Sequence, residues 1–107
     1  MTMVDDIRIR QVVVNNPQGL HARPAHALVQ LAAGFTAEIE ILYKDESADG
    51  KSILAILTLG AEQGAQLTIS ASGEDAAQAV DALAELFLND LGDDELETPN
   101  NESTQSG

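Results

Sequence analysis

Hydrophobic and polar residues alternate along two segments of this chain. Every second position is apolar or aromatic in residues 36–43 and again in residues 66–71: Ala37, Ile39, Ile41 and Tyr43, then Leu67, Ile69 and Ala71. This alternation is typical of a β-strand with one buried and one solvated face. The sequence therefore predicts half-buried strands over residues 36–43 and 66–71.

Two further segments indicate strands of lower regularity. Residues 7–14 are rich in β-branched side chains, which favours a strand. Their apolar positions change parity along the segment: Ile7 and Ile9, then Val12 and Val14. We therefore expect a bulge or a late strand start near Arg10–Gln11. A short strand over residues 46–49 fits the edge of a sheet, because it is poorly patterned.

Helical spacing of apolar residues predicts two longer helices. The first runs from Ala22 to Ala33 and ends at Gly34, since glycine commonly follows a helix C-terminus. The last opens at residues 73–75, with Glu74 and Asp75 as acidic groups in its first turn. The two predicted buried stripes are Ala25, Leu28, Val29 and Ala32, and Ala76, Val80, Leu83, Ala84 and Phe87.

A short apolar helix is expected from Ser52 to Leu59, with Ser52 as its N-cap and Gly60 after its end. A short surface helix cannot bury every side, and Ile56 and Leu59 suit the core. The other apolar side chains then form an exposed patch, which commonly marks a partner site: Ile53, Leu54 and Leu57. Complete burial of this helix is the alternative interpretation.

The predicted element order is βαββαβα. The strands have one solvated face, and the number of helices is sufficient to cover only the other face of a sheet. This favours an α+β fold with a four-stranded antiparallel sheet and three helices on one side. We assign residues 1–90 to this single domain. Residues 91–107 contain the acidic run Asp93–Glu97 and a polar end. We expect no packed structure there, only a disordered acidic tail.

Composition excludes several classes of function. The net charge is −13, with five Lys and Arg against 18 Asp and Glu. This argues against nucleic acids and anionic membranes as partners, since both require a basic surface. There is no cysteine, and only two histidines occur, so we expect no disulfide and no metal site. No secretion signal or membrane span is recognisable, which predicts a cytoplasmic protein.

The most informative chemistry lies at the junction between the first strand and the first helix. The turn signal of residues 15–19 leads into His21, and Pro24 fits a first helical turn. A helix N-terminus offers unpaired backbone N–H groups and positive partial charge, which stabilise phosphate. His21 adds a nucleophilic imidazole, and Arg23 adds donors suited to a phosphoryl group. The junction therefore predicts a phosphoryl-accepting histidine.

An inert His21 is the alternative, because a lone histidine is more often structural than reactive. His26 lies on the same helical face as Arg23, one turn later. We interpret it as a solvated surface histidine, and contact with a partner docked over His21 is its functional alternative.

The residues around His21 also carry a family resemblance. The segment Gly19-Leu20-His21-Ala22-Arg23-Pro24-Ala25 resembles the active-site signature of HPr, the histidine-containing phosphocarrier of the bacterial phosphoenolpyruvate:sugar phosphotransferase system. A second signature stands at residues 51–60, and residues 64–75 are similar to the family as well. The similarity runs from about Ile7 to Asp90 at matching spacings.

The resemblance implies an open-faced β-sandwich and a carrier role. Enzyme I would phosphorylate Nδ1 of His21, and the chain would pass the group to an enzyme IIA domain in sugar uptake. Arg23 and the backbone N–H groups of Ala22 and Arg23 would hold the phosphoryl oxygens. No cofactor is implied, and the protein would be a monomeric carrier and co-substrate rather than a turnover enzyme by itself.

Regulation is the alternative function. In many HPr proteins the serine matching Ser52 is phosphorylated by a dedicated kinase, and a phosphorylase removes the phosphoryl group. The simpler interpretation is that Ser52 is an ordinary N-cap residue. A nitrogen-related branch also uses HPr-like proteins without sugar uptake. The resemblance places partner docking on Ala22, Lys51, Ile53, Leu54 and Leu57. This chain lacks the lysines that many HPr proteins carry on the docking helices, which leaves Arg23 and Lys51 as the expected cations near His21. Docking would therefore depend on apolar contacts.

Overall fold

The computed structural model describes residues 7–89, so the predicted tail lies outside the described residues. Four strands and three helices follow one another in the predicted order βαββαβα. They are β1 (Ile7–Val13), α1 (Ala22–Ala33), β2 (Glu38–Tyr43), β3 (Glu46–Asp49), α2 (Ile53–Thr58), β4 (Gln66–Ser72) and α3 (Ala76–Leu88).

The four strands form one antiparallel sheet with the spatial order β1-β4-β2-β3. The three helices cover one face, which confirms the predicted open-faced sandwich. The inward residues of the central strands are buried: Leu67, Ile69 and Ala71 on β4, and Ile39 and Ile41 on β2. Leu28 of α1, Ile56 of α2 and Leu83 and Phe87 of α3 complete a core of aliphatic side chains and one phenylalanine.

Neither the bulge nor the late strand start expected near Arg10–Gln11 is present in β1. β1 pairs with β4 in unbroken register from Ile7 opposite Ser72 to Val13 opposite Gln66. The parity change arises because Ile7 and Ile9 lie on the open face of the sheet, where they are 54% and 64% exposed. Apolar residues on the wet face of an edge strand imitate the sequence pattern of a bulge.

The sequence predicts that the second strand starts at residue 36 and that the last helix has acidic residues in its first turn. Both predictions are wrong, and the contacts of the Asp75 side chain explain why. α3 begins at Ala76, so Asp75 is its N-cap residue, and no acidic residue lies in the first turn. The Asp75 carboxylate accepts hydrogen bonds from the backbone N–H groups of Thr36, at 2.9 Å, and Ala37, at 2.8 Å. These two residues therefore precede β2, and their hydrogen bonds to Asp75 connect the start of β2 to the start of α3.

Asp75 makes folding sensitive to acid. The Thr36 N–H, followed by the Ala37 N–H, lowers the pKa of this carboxyl below its ordinary value of 3.8. A carboxyl whose pKa is lower in the folded state stabilises folding above its unfolded pKa. That stabilisation is lost as the pH falls through the folded pKa.

We expect Asp75→Asn to lower the melting temperature at neutral pH, because the carboxamide has one acceptor oxygen for two N–H donors. The difference from the parent protein should begin to shrink as the pH falls below about 4. It should be smallest below the lowered pKa of folded Asp75, where the parent carboxyl is protonated and has lost its charge. Thermal unfolding followed by circular dichroism from pH 7 to pH 2.5 measures this. Glu74→Gln, at the exposed neighbouring position, is the control. A pH-independent difference would contradict the role of the Asp75 charge.

Candidate functional site

The loop before His21 is held in place by a second loop, residues 61–65. The backbone N–H of Leu20 donates to the carbonyl of Ala61 at 2.9 Å. On the other side of the turn, Val14 exchanges backbone hydrogen bonds with Ala65 and Gly64, at 3.0 and 2.8 Å. The end of β1 and the start of α1 are therefore both fixed to the segment that leads into β4.

Gly19 allows the two loops to approach this closely. Its φ is +73°, a left-handed conformation that side chains disfavour. A Cβ atom added there would lie 2.5 Å from the Ala61 carbonyl oxygen and 2.8 Å from the Cα of Glu62. The sequence does not predict the contact with residues 61–65, although Gly60 and Gly64 are residue types that favour a turn there.

His21 is the N-cap residue of α1. Its backbone is extended, with φ −84° and ψ −169°, and its side chain makes no capping hydrogen bond. The first helical hydrogen bond runs from the Ala25 N–H to the His21 carbonyl at 2.9 Å. The N–H groups of Ala22 and Arg23 precede that bond, and Pro24 has no N–H group to leave unpaired. Two backbone donors therefore stand at the positive end of α1, directly after His21.

The side chains at this end of α1 are accessible. His21 is half-buried, whereas Ala22 and Arg23 are exposed. Among residues 7–89, no carboxylate forms an ion pair with Arg23. A doubly charged phosphoryl group on the imidazole can meet the two N–H groups and the Arg23 guanidinium at one place. The geometry suits acceptance and release of an anion at the surface.

The α2 patch, defined as Ile53, Leu54 and Leu57, is exposed as predicted. Leu54 is 72% accessible and the other two are each 37% accessible, whereas Ile56 and Leu59 face the core. Complete burial of the helix is therefore wrong. α2 packs against α1, so the α2 patch and the His21 end belong to one helical layer. Its role in docking stays a prediction.

Ser52 and Lys51 occupy the start of α2. The Ser52 hydroxyl accepts a hydrogen bond from the Ala55 N–H at 3.2 Å, which confirms the predicted N-cap. The Lys51 amine donates to the Phe35 carbonyl at 2.7 Å, just beyond the C-terminus of α1. That terminus lies about 18 Å from the His21 end, given the rise of a 12-residue helix. Lys51 is thus not beside His21, and its docking role also stays a prediction.

His26 is exposed on α1, one turn beyond the site. Within residues 7–89, no three histidine, cysteine or acidic side chains are grouped closely enough to hold a metal ion. No helix of that same part of the chain has the length and apolar character needed to cross a membrane.

We expect Gly19→Ala to destabilise the fold more than Gly64→Ala. Both positions have positive φ, which costs a non-glycine residue about 1–2 kcal/mol. Only at Gly19 would the new methyl group overlap neighbouring backbone, since a Cβ at Gly64 meets nothing within 4 Å. Overpacking of this kind adds about 1–3 kcal/mol. Urea unfolding of the two variants measures the difference, and equal free energies of unfolding would contradict a tight contact between the loops.

Comparison with known proteins connects this geometry to a family. The model of the PTS HPr component phosphorylation site matches residues 9–89. The phosphocarrier protein HPr of Buchnera aphidicola is 46% identical over 81 residues, which cover 76% of this chain and 94% of that protein.

Two further matches are a solved structure and a segment of a much longer protein. The crystal structure of an HPr from Thermoanaerobacter tengcongensis superimposes with a TM-score of 0.78 at 34% identity, covering 82% of this chain and 99% of that one. The phosphoryl donor subunit DhaM of a PEP-dependent dihydroxyacetone kinase from Providencia stuartii is 42% identical over 83 residues. The match covers 78% of this chain but only 17% of that subunit. From the matched family model, the relatives and the shared fold, we conclude that this chain belongs to the HPr family of phosphocarrier proteins.

Proposed function

We propose that this protein accepts a phosphoryl group from phospho-enzyme I on Nδ1 of His21 and passes it to an enzyme IIA domain. The observation that carries the proposal is the position of His21 as N-cap of α1, with two backbone donors and Arg23 directly after it. The HPr relatives support the same reaction.

The reaction needs no group beyond the two proteins. The lone pair of the neutral imidazole at Nδ1 forms a bond to phosphorus while the bond between phosphorus and the donor breaks, and its electron pair leaves with the donor. Positioning and charge stabilisation dominate catalysis of such transfers. The N–H groups of Ala22 and Arg23 and the Arg23 guanidinium neutralise the phosphoryl oxygens. Solvent access at this end of α1 allows the group to leave again.

With phosphoenolpyruvate and enzyme I, we expect one acid-labile, alkali-stable phosphoryl group per chain. His21→Ala should abolish labelling, whereas the exposed control His26→Ala should retain it. Arg23→Ala should slow transfer by about tenfold or more without changing the final stoichiometry. This is less than the 10²–10³ typical of buried donors, because Arg23 is exposed. Radiolabel transfer on gels measures all three, and full labelling of His21→Ala would contradict the assignment.

Docking onto partners would depend on apolar contact. Of the cations, only Arg23 lies at the His21 end of α1, whereas the α2 patch exposes three aliphatic side chains. The net charge of −13 repels acidic partners at long range, and salt screens that repulsion over about 8 Å. Burial of the patch would therefore supply most of the attraction.

We expect affinity for the protein's own enzyme I to rise or stay constant from low to physiological salt. Leu54→Asp should weaken binding by about tenfold or more, since burying one leucine contributes about 1.5–3 kcal/mol. Lys51→Ala should have a smaller effect, because the amine is engaged with Phe35. Calorimetric titrations across a salt series measure both. A steep loss of affinity with salt would reveal an interface held by charges.

Phosphorylation of Ser52 by a serine kinase is a second proposal, one that concerns control of docking. The hydroxyl caps α2 directly beside the α2 patch, so a phosphate there would set negative charge against a partner's apolar surface. The same position also fits a plain N-cap.

We expect Ser52→Asp to keep its melting temperature, since aspartate is a good N-cap, and to weaken transfer from enzyme I severalfold. Ser52→Ala is the control: it should lose about 1 kcal/mol of stability and transfer normally. Phosphoryl-transfer assays quenched at successive times, with the parent protein, Ser52→Asp and Ser52→Ala, measure the transfer rates. Unchanged kinetics in Ser52→Asp would leave Ser52 as a cap alone.

The final acceptor distinguishes two branches of the system. The relative in the dihydroxyacetone kinase subunit supports a second candidate, in which the phosphoryl group goes to that pathway rather than to sugar uptake. Incubation of the phosphorylated chain with enzyme IIA domains and with the partner subunits of such a kinase separates the two by which protein is labelled.

We further propose that the chain works as a monomer in the cytoplasm, where phosphoenolpyruvate and enzyme I would supply the phosphoryl group. A solved HPr from Thermoanaerobacter tengcongensis is described as a dimer. Sedimentation of this protein at several concentrations tests its own state.

A further inference from the structure

The face of the sheet that turns away from the three helices is its open face. Within residues 7–89, no helix or strand covers it, because α1, α2 and α3 pack on the other face. The strand registers arrange its side chains in columns along the strands and in rows across them. One such row crosses all four strands and changes from apolar to acidic: Ile9, Ser70, Glu40 and Asp49.

The column on β1 is aliphatic. Its exposed members are Ile7, Ile9 and Val13, at 54%, 64% and 41% exposure. The solvated face of an antiparallel sheet is ordinarily polar, and apolar side chains grouped on a surface commonly mark an interaction site. This aliphatic column therefore gives the open face one flank that a partner can bury.

The column on β2 and β3 is acidic. Glu38 and Glu40 are exposed on β2, and Glu40 lies directly opposite the exposed Asp49 of β3. Like charges placed opposite each other destabilise a sheet, so stability of the fold does not explain this arrangement. Lys51 lies nearby, but its amine donates to the Phe35 carbonyl at 2.7 Å. Three carboxylates beside one ammonium leave this flank negative.

The two flanks enclose a trough along β4. Its floor has small, half-buried side chains, those of Thr68, Ser70 and Ser72, whereas both flanks are exposed. A depression of about 470 Å³ lies over the Ser70–Ser72 end, beside the acidic column. The flanks are two strand spacings apart, about 10 Å. An α-helix is about 10–12 Å across with its side chains, so a helix lying along β4 can contact both flanks.

Charge decides which kind of helix or ligand fits. Within residues 7–89, the acidic side chains are not grouped closely enough to hold a metal ion, so the acidic column suits separate ammonium or guanidinium groups. Nucleic acids and anionic membranes are repelled by it. A second copy of this chain offers no suitable helix, since Arg23 is the one lysine or arginine in α1, α2 and α3.

We propose that the open face binds an amphipathic helix of a partner protein, one that carries a stripe of lysines or arginines beside an apolar stripe. The apolar stripe packs on the aliphatic column of β1, and the cations lie beside the carboxylates of Glu38, Glu40 and Asp49. His21 and the α2 patch belong to the helical layer on the other face of the sheet. The bound helix therefore leaves the N-terminus of α1 accessible.

Titration of a synthetic helix into the full-length ¹⁵N-labelled protein tests this surface. The probe is a peptide of about 14 residues, which matches the length of β1, with leucines on one helical face and lysines beside them. We expect larger shifts at the amides of Ile9, Ser70 and Glu40 than at those of Ala22 and Leu54. Shifts confined to the helical layer or to residues 90–107 would overturn the proposal. A peptide with glutamates in place of the lysines is the control and should not bind.

Variants separate a shaped site from general attraction to an acidic protein. Glu38→Gln combined with Glu40→Gln should weaken peptide binding by about threefold or more. Ile9→Thr, which keeps a β-branched residue on the strand, should weaken it by a similar factor. The matched control, Glu62→Gln combined with Glu85→Gln, removes the same charge at exposed positions away from the open face and should bind as the parent does. Equal losses in the two double variants would overturn the proposal.

A dilution series without peptide tests whether a second copy covers the open face. We expect the amides of Ile9, Ser70 and Glu40 to keep their positions over a wide range of protein concentrations. Concentration-dependent shifts confined to these amides would show that the open face binds another copy of the chain, and that result would overturn the assignment of a cationic partner helix.

Discussion

The hydrogen bond from the Leu20 N–H to the Ala61 carbonyl connects the loop before His21 to the loop of residues 61–65. It holds the residue before His21 against the loop that precedes β4, a central strand of the sheet. Gly19 makes the contact possible, since any side chain there would overlap the backbone of residues 61–62. The position of the His21 backbone follows from where β1 ends, where α1 begins and which backbone the turn between them contacts.

The elements were predictable because their patterns are local. Alternation in β2 and β4 and the apolar stripes of α1 and α3 follow directly from burial of one face. The N-cap at Ser52 was also predictable, because N-caps need particular residue types in sequence. The phosphoryl-accepting chemistry of His21 and Arg23 stays a prediction from the residue types at a helix N-terminus.

The errors concern contacts between distant parts of the chain. The sequence predicts Asp75 as an acidic residue in the first turn of α3. Its carboxylate instead accepts hydrogen bonds from the backbone N–H groups of Thr36 and Ala37, 38 or more residues away. Ile7 and Ile9 imitate a bulge because β1 is an edge strand, and edge position is a property of the whole sheet. The hydrogen bond from the Lys51 amine to the Phe35 carbonyl is a further contact that the sequence does not show, because it depends on the packing of α1 against α2.

In the proposed function, the N-terminus of α1 holds the phosphoryl group of phospho-His21. The most direct measurement is the ¹H–¹⁵N spectrum of the protein before and after phosphorylation by enzyme I and phosphoenolpyruvate. Hydrogen bonding to phosphoryl oxygens should move the amide protons of Ala22 and Arg23 downfield, further than any amide in α2 or β3. Phosphorylation that left both amides unmoved, or that shifted residues around His26 instead, would contradict the account.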